Sequence, residues 1–165
     1  MKDSIVQMPD PISQAVTITG HWNFEYRYFA GAVASRFFNE IKLNRRIMGT
    51  RVPSTGRVLV PARSFCDMSY ERTGDWVEVG PDGTLDIFTI VAAKFPGLPD
   101  PPFVMGYVTL DGADTAVLNY VRGVDLRDIE AAGQELMAKP RVRAIFSDVR
   151  EGRITDFHFE LIGSV

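Results

Sequence analysis

The chain carries one cysteine, Cys66, and two histidines, His21 and His158, in 165 residues. One cysteine excludes an internal disulfide and fits a reducing compartment. With so few nucleophiles and bases, a self-contained nucleophile–base pair is poorly supplied, and no serine sits in a G-x-S-x-G elbow. Gly80-Pro81-Asp82-Gly83 lacks the lysine and the following helix of a phosphate loop. No apolar run approaches ~18 residues, and no charged-then-apolar leader opens the chain. There is no repeat, low-complexity tract or coiled-coil heptad. These absences lead us to expect a soluble, cytoplasmic protein that does no chemistry alone and does not enter a membrane.

Hydrophobic content of 45% and charged content of 24% are ordinary for one compact domain, with or without a small appendage. The charge is unevenly placed. Arg27, Arg36, Lys42, Arg45, Arg46, Arg51, Arg57 and Arg63 face a single acid, Glu40, in that stretch, which is therefore +7 in a chain of net −3. Either this basic segment meets an anionic partner, or its charges pair with the acidic remainder.

Along the chain, Met1 to Thr17 reads as an arm that orders only on docking. Trp22, Phe24, Tyr26 and Tyr28 alternate at period two and so share one face of an extended strand, packed either under the following helix or on a partner. Phe29 to Leu43 reads as an amphipathic helix with Ala30, Val33, Phe37, Phe38 and Ile41 on its apolar stripe, stopped at Asn44. Two tight turns follow, Val52 to Gly56 and Cys66 to Ser69. Beyond the polar turn Glu71 to Asp75 come β-type runs at Trp76–Val79, Thr84–Ala92, Phe103–Leu110, Thr115–Val121, Arg141–Phe146 and Ile154–Ile162. A helix is expected between Asp125 and Met137, closed by Pro140. This pattern predicts a mainly β chain with an N-terminal helix and a five-stranded OB-type barrel. We divide it into an arm and helix (1–47), a hairpin module (48–70) and a barrel (71–165).

The hairpin module has the outline of a rubredoxin-like zinc ribbon emptied of ligands. At x-x spacing within each turn the ligand positions are Val52, Thr55, Cys66 and Ser69. Only Cys66 could bind as a thiolate, and one thiolate does not make a structural site, so no zinc or other cofactor is expected. The run Arg51-x-Pro53-x-x-Gly56-Arg57-Val58-x-Val60-Pro61-x-Arg63-x-x-Cys66 resembles the zinc-ribbon and OB-fold proteins that accompany thiolases and related acyl-CoA enzymes. Ala30-Gly31, Phe37-Phe38 and Leu110-Asp111-Gly112-Ala113-Asp114 extend the resemblance over most of Trp22 to Leu161. Three of the four family cysteines are replaced. The resemblance implies an accessory subunit beside a thiolase-like catalytic subunit, with the helix and ribbon docked on the enzyme and helping to form its acyl-CoA site. Arg45, Arg46, Arg51, Arg57 and Arg63 are the candidate phosphate or partner contacts, because a guanidinium grips phosphate oxygens bidentately. Trp22, Tyr26, Phe37 and Phe38 are the candidate apolar ones.

Other readings stay beside this one. The chain could be a free-standing OB-fold binder of acyl-CoA or another anionic ligand. Single-stranded nucleic acid would need stacking on Phe88, Phe103, Tyr107 and Tyr120, but that half of the chain is acidic and repels phosphate. Asp156, His158 and Glu160 share one face of the last strand at i, i+2, i+4 and could bind a metal. The same alternation by itself predicts an ordinary solvent face, with Phe157, Phe159 and Leu161 turned inward. The proline-rich loop from Phe95 to Pro102 is either a stiff docking element or a simple strand connection.

Overall fold

The computed structural model describes residues 16, 18–20 and 22–163. Most of the N-terminal arm, with His21, lies outside the described residues.

Helix α1 (Ala32–Asn39) starts later than the apolar stripe predicts because Gly31, at φ 88°, holds the backbone in the left-handed region. It widens into a π-helical turn, Glu40–Asn44, and ends where Arg45 adopts φ 52°. Phe37 and Ile41 are buried, one turn apart, and carry α1 onto the core.

Strands β1 (Ile47–Arg51), β2 (Val58–Leu59) and β3 (Trp76–Val79) form an antiparallel sheet in the order β2-β1-β3. The β1–β2 hairpin expected between residues 48 and 70 is therefore present. Trp76–Val79, which reads from sequence as the first of the β runs after the polar turn, pairs with β1 from Ile47↔Val79 to Thr50↔Trp76 instead of joining the barrel. The outer side of β2 is covered by the loop after Leu110: the Val58 amide donates to the Asp114 carboxylate and the Val60 amide to Thr115 Oγ1, at 2.8 and 2.7 Å.

The second unit is a closed barrel of β4 (Asp82–Val91), β5 (Phe103–Leu110), β6 (Val117–Arg122), β7 (Arg141–Phe146) and β8 (Phe157–Leu161), ordered β4-β5-β6-β8-β7. All pairings are antiparallel except β6 with β8, which run parallel over Val121↔Phe159 and Arg122↔Glu160. Alternation sets the inside: Leu85, Val104, Val108, Val117, Val121, Val142, Ala144, Phe157 and Phe159 are buried, and Gly106 leaves room for Leu85. Truncating either of these phenylalanines to alanine is a loss of about 3–5 kcal/mol at such sites. Helix α2 (Ile129–Met137), capped by Asp128, whose carboxylate accepts the Glu130 and Ala131 amides at 3.0 Å, adds buried Ala132 and Leu136. One cluster joins Phe37, Ile41, Ile47, Val58, Val60 and Val79 to the barrel interior, so ribbon and barrel share a core. The fold is thus mainly β, with a short N-terminal helix and a five-stranded OB sheet. Among the described residues no helix is long and apolar enough to cross a membrane.

Candidate functional site

The first knuckle is closed by Gly56 N–H to Val52 O and Val52 N–H to Arg57 O, both at 2.8 Å. The second is closed by Tyr70 N–H to Cys66 O at 3.0 Å and Cys66 N–H to Glu71 O at 2.9 Å. Val52, Leu59 and Cys66 pack into a small apolar cluster between them. Thr55 Oγ1 accepts the Arg57 amide at 3.4 Å, and the Ser54 hydroxyl donates to Glu71 across the two turns. The Cys66 thiol is 1% exposed, yet its pKa lies below the ordinary thiol value. The Ser69 hydroxyl is the main cause, followed by the Ser69 and Met68 amides, with Arg57 adding a weaker charge effect. This is the donor arrangement that steadies a thiolate. The set does not fit a structural zinc: one thiol, two hydroxyls and a valine replace the four thiolate or imidazole donors a tetrahedral site requires.

The five candidate arginines do not form one free anion-binding face. Arg57 and Arg63 converge on Asp67, at 4.0 and 3.5 Å. Arg46 holds Glu40 at 2.7 Å and reaches Glu78 at 3.5 Å. Hydrogen bonds from Asn44 and then Arg46 keep the Glu40 carboxyl below its usual range. Arg45 pairs with Asp148 at 3.5 Å, and Arg51 donates to Gly56 O at 2.8 Å. Four of the five candidates are thus paired with acids and the fifth with a carbonyl, in largely exposed contacts worth little each. Of the apolar candidates, Phe37 is 2% exposed and is core rather than a contact surface, and Phe38 is partly buried against that core. Trp22, Phe24, Tyr26 and Tyr28 are 63–83% exposed, so none packs under α1.

Two guanidiniums outside the five candidates stand nearby. Arg36 lies 4.3 Å over the Trp76 ring, and Arg72 lies 5.0 Å over Phe65. Neither forms an ion pair among the described residues. A cleft of about 300 Å³ between α1 and the ribbon is lined by Arg72, Ser64, Thr73, Thr50 and Trp76. It offers the Arg72 charge and the Ser64 hydroxyl to a small anion or the phosphate of a larger ligand, whereas the Thr50 and Thr73 hydroxyls already donate to Arg63 O.

The row on the last strand is not a solvent face. Asp156 ends a 3₁₀ turn, Ile154–Asp156, and is 5% exposed. Burial pushes its pKa up, but the amides of Arg153, Glu151 and Gly152, donating to one carboxylate oxygen at 3.0, 2.9 and 2.6 Å, outweigh burial and leave it low. His158 is 8% exposed, with Nε2 3.0 Å from Glu160. Asp156 thus orders its own loop and is unavailable to a shared site. No group of three metal-ligating side chains occurs among the described residues.

On the barrel exterior, cross-strand neighbours Ile87, Tyr107 and Leu118 line an apolar groove of about 190 Å³ with Thr89 and Met105. Phe103 and Tyr120 meet edge-on beside it at 5.8 Å. Phe88 packs against the interior, and the groove lining contains no basic residue, so a phosphate backbone has no path there. The proline-rich loop is spanned by a Lys94–Asp100 ion pair at 2.6 Å.

Residues 76–143 match the family model described as the ChsH2 C-terminal OB-fold domain. No curated protein matches the chain. Among solved structures, a protein of unknown function from the DUF35 family of Sulfolobus solfataricus is similar at TM-score 0.58 and 19% identity, over 80% of this chain and 87% of that one. The Ltp2–ChsH2(DUF35) aldolase is similar at TM-score 0.59 and 17% identity, over 81% of this chain and 98% of that one. At such identities the solved structures show a shared fold. Over residues 76–143 the chain is therefore similar to the OB-fold domain that ends ChsH2.

Proposed function

We propose that the chain is a non-catalytic accessory subunit of a thiolase-like acyl-CoA-processing enzyme, docked on the catalytic subunit through its helix–ribbon half and helping to shape the acyl-CoA entrance. The observation that carries this reading is the match of residues 76–143 to the ChsH2 C-terminal OB-fold domain. The fold likeness to the Ltp2–ChsH2(DUF35) aldolase supports it. So does the chemistry of the chain: its buried Asp156 is bound to loop amides and its one thiol is packed between knuckles. In this reading the packing of Val52, Leu59 and Cys66 and the turn hydrogen bonds hold the two turns together in place of a metal. The test is co-purification with the thiolase-like protein encoded nearby. A stoichiometric complex whose activity falls when this chain is removed is expected. No complex, with enzyme activity unchanged, overturns the reading.

The cleft under α1 favours a second reading, a free-standing binder of acyl-CoA or another anionic ligand, with Arg72 as the cation. Calorimetry with CoA thioesters on the isolated chain separates the two. Binding to the chain alone that weakens about tenfold or more in Arg72→Ala supports the second reading.

A further inference from the structure

The segment from Trp22 to Phe29 holds five aromatic side chains in eight residues, all exposed. Its rings form a ladder: Trp22–Phe24, Phe24–Tyr26 and Tyr26–Tyr28 have centroids 5.7, 5.9 and 6.1 Å apart. That repeat is close to the ~6.6 Å between residues i and i+2 of an extended chain, so the four rings line one face. The opposite face carries Asn23, Glu25 and Arg27, with one charge of each sign. The segment makes no backbone hydrogen bond to any described residue; the first such bond downstream is Ser35 N–H to Gly31 O. It is therefore a strand by composition and backbone shape that lacks a sheet. Gly31, at φ 88° with open space around it, joins the segment to α1.

We infer that Trp22–Tyr28 is a donor strand that adds to an open sheet edge of the catalytic subunit, laying its ring face into an apolar trough beside that edge. This inference rests on the accessory-subunit reading above. Main-chain hydrogen bonds would supply register, and the alternate rings would supply affinity, as in other strand-addition complexes. A second copy of this chain is a poor acceptor. The barrel is closed, and β2 is covered by Asp114 and Thr115. Two edges stay open: β3, four residues long with Arg36 over its Trp76, and β4 beyond Thr84, which pairs only with β5 and is broken by an irregularity between Leu85 and Ile87. A seven-residue donor needs a longer unbroken edge than this fold offers among its described residues.

The test uses the full chain with the thiolase-like subunit encoded nearby. In the complex, amide exchange should slow at every second residue of Trp22–Tyr28, because an added strand pairs on one side only. Trp22→Ser combined with Tyr26→Ser should weaken binding about 30-fold or more while leaving thermal unfolding unchanged, since these rings touch nothing in the folded body. A wild-type chain that binds, with the double variant binding equally well, overturns the donor-strand inference and leaves the accessory-subunit reading standing. Ring burial without the alternating protection also overturns it. A wild-type chain that does not bind the subunit overturns both. Sedimentation of the chain alone provides the last check: an arm-dependent homodimer overturns the choice of a foreign edge.

Discussion

Ser69, three residues after Cys66, is the main cause holding the Cys66 thiol below its ordinary pKa, through its hydroxyl and then its amide. If the two turns are ribbon knuckles, Val52, Thr55 and Ser69 stand at the empty ligand positions. Restoring thiolates there should therefore restore a metal site. The triple variant Val52→Cys, Thr55→Cys, Ser69→Cys should bind about one zinc per chain and gain thermal stability that a chelator removes. The wild-type chain should contain no stoichiometric zinc and should unfold at the same temperature with or without chelator. Metal analysis with paired melting curves checks both, and one zinc per wild-type chain contradicts the metal-free ribbon.

Acid sensitivity should trace in part to Asp156. Three amides hold its carboxylate in the folded chain and lower its pKa, whereas in the unfolded chain it titrates near ~3.9. A group lowered on folding adds stability that is present above the unfolded pKa and is lost as pH falls through the folded one. The contribution is complete at neutral pH and fades below about pH 4. Asp156→Asn should be less stable than wild type at pH 7 and should show a shallower loss between about pH 4 and pH 2. Urea midpoints across that range measure it, and parallel pH profiles for the two chains would count against this assignment.

Strand identity was legible from side-chain alternation, and strand partnership was not. Phe103–Leu110 and Arg141–Phe146 form strands with the bounds their sequences predict, because in–out periodicity is local. Trp76–Val79 is equally clear as a strand, but its pairing with β1 is a tertiary choice that no spacing encodes. Asp156 was misplaced because the i, i+2 argument assumes a strand that begins only at Phe157. The arginine cluster was visible as a charge excess. Glu40 and Asp67 pair with it from nearby in sequence, but Glu78 and Asp148 reach it only through chain reversals. Arg36 was visible only as one charge of the basic stretch and Arg72 left no signal, since an arginine over a ring gains meaning only from the ring beneath it. The ring ladder was legible as a face, and only the structure showed that nothing in the described chain covers it.

Gly106 marks the tightest point of the barrel wall. A Cβ there would sit 2.4 Å from Leu85 Cδ1 and 3.2 Å from both Ile87 O and Val121 Cγ2, inside van der Waals contact with two side chains and one backbone atom. Gly106→Ala should cost about 1–3 kcal/mol through overpacking, read as a lower urea midpoint with unchanged slope. Pairing it with Leu85→Ala should recover part of that cost, because the smaller side chain removes the nearest clash. If Leu85→Ala worsens Gly106→Ala by its full single-variant amount, the two side chains are not competing for one space.

The barrel seam at β6 and β8 is narrow, and one side chain spans what the ladder leaves open. Only Val121 and Arg122 pair with β8, so the first half of β6 has no strand on that side. Asn119, buried within that half, donates through Nδ2 to the carbonyls of Ile154 and Phe157, both at 2.9 Å. Its Oδ1 accepts the Tyr120 amide at 2.8 Å. Asn119→Leu preserves volume but strips two buried carbonyls of their donor, so a loss of about 1–3 kcal/mol per unpaired group is expected. Asn119→Asp keeps the acceptor and loses both donors, and at neutral pH it would set a negative charge against two carbonyl oxygens, so it should be the worse variant despite its closer shape. Amide exchange locates the effect: protection should fall first across Ile154–Phe159, while β4 and β5 keep theirs. Equal loss across all five strands would mean that Asn119 acts on the barrel as a whole and that the seam has no separate stability of its own.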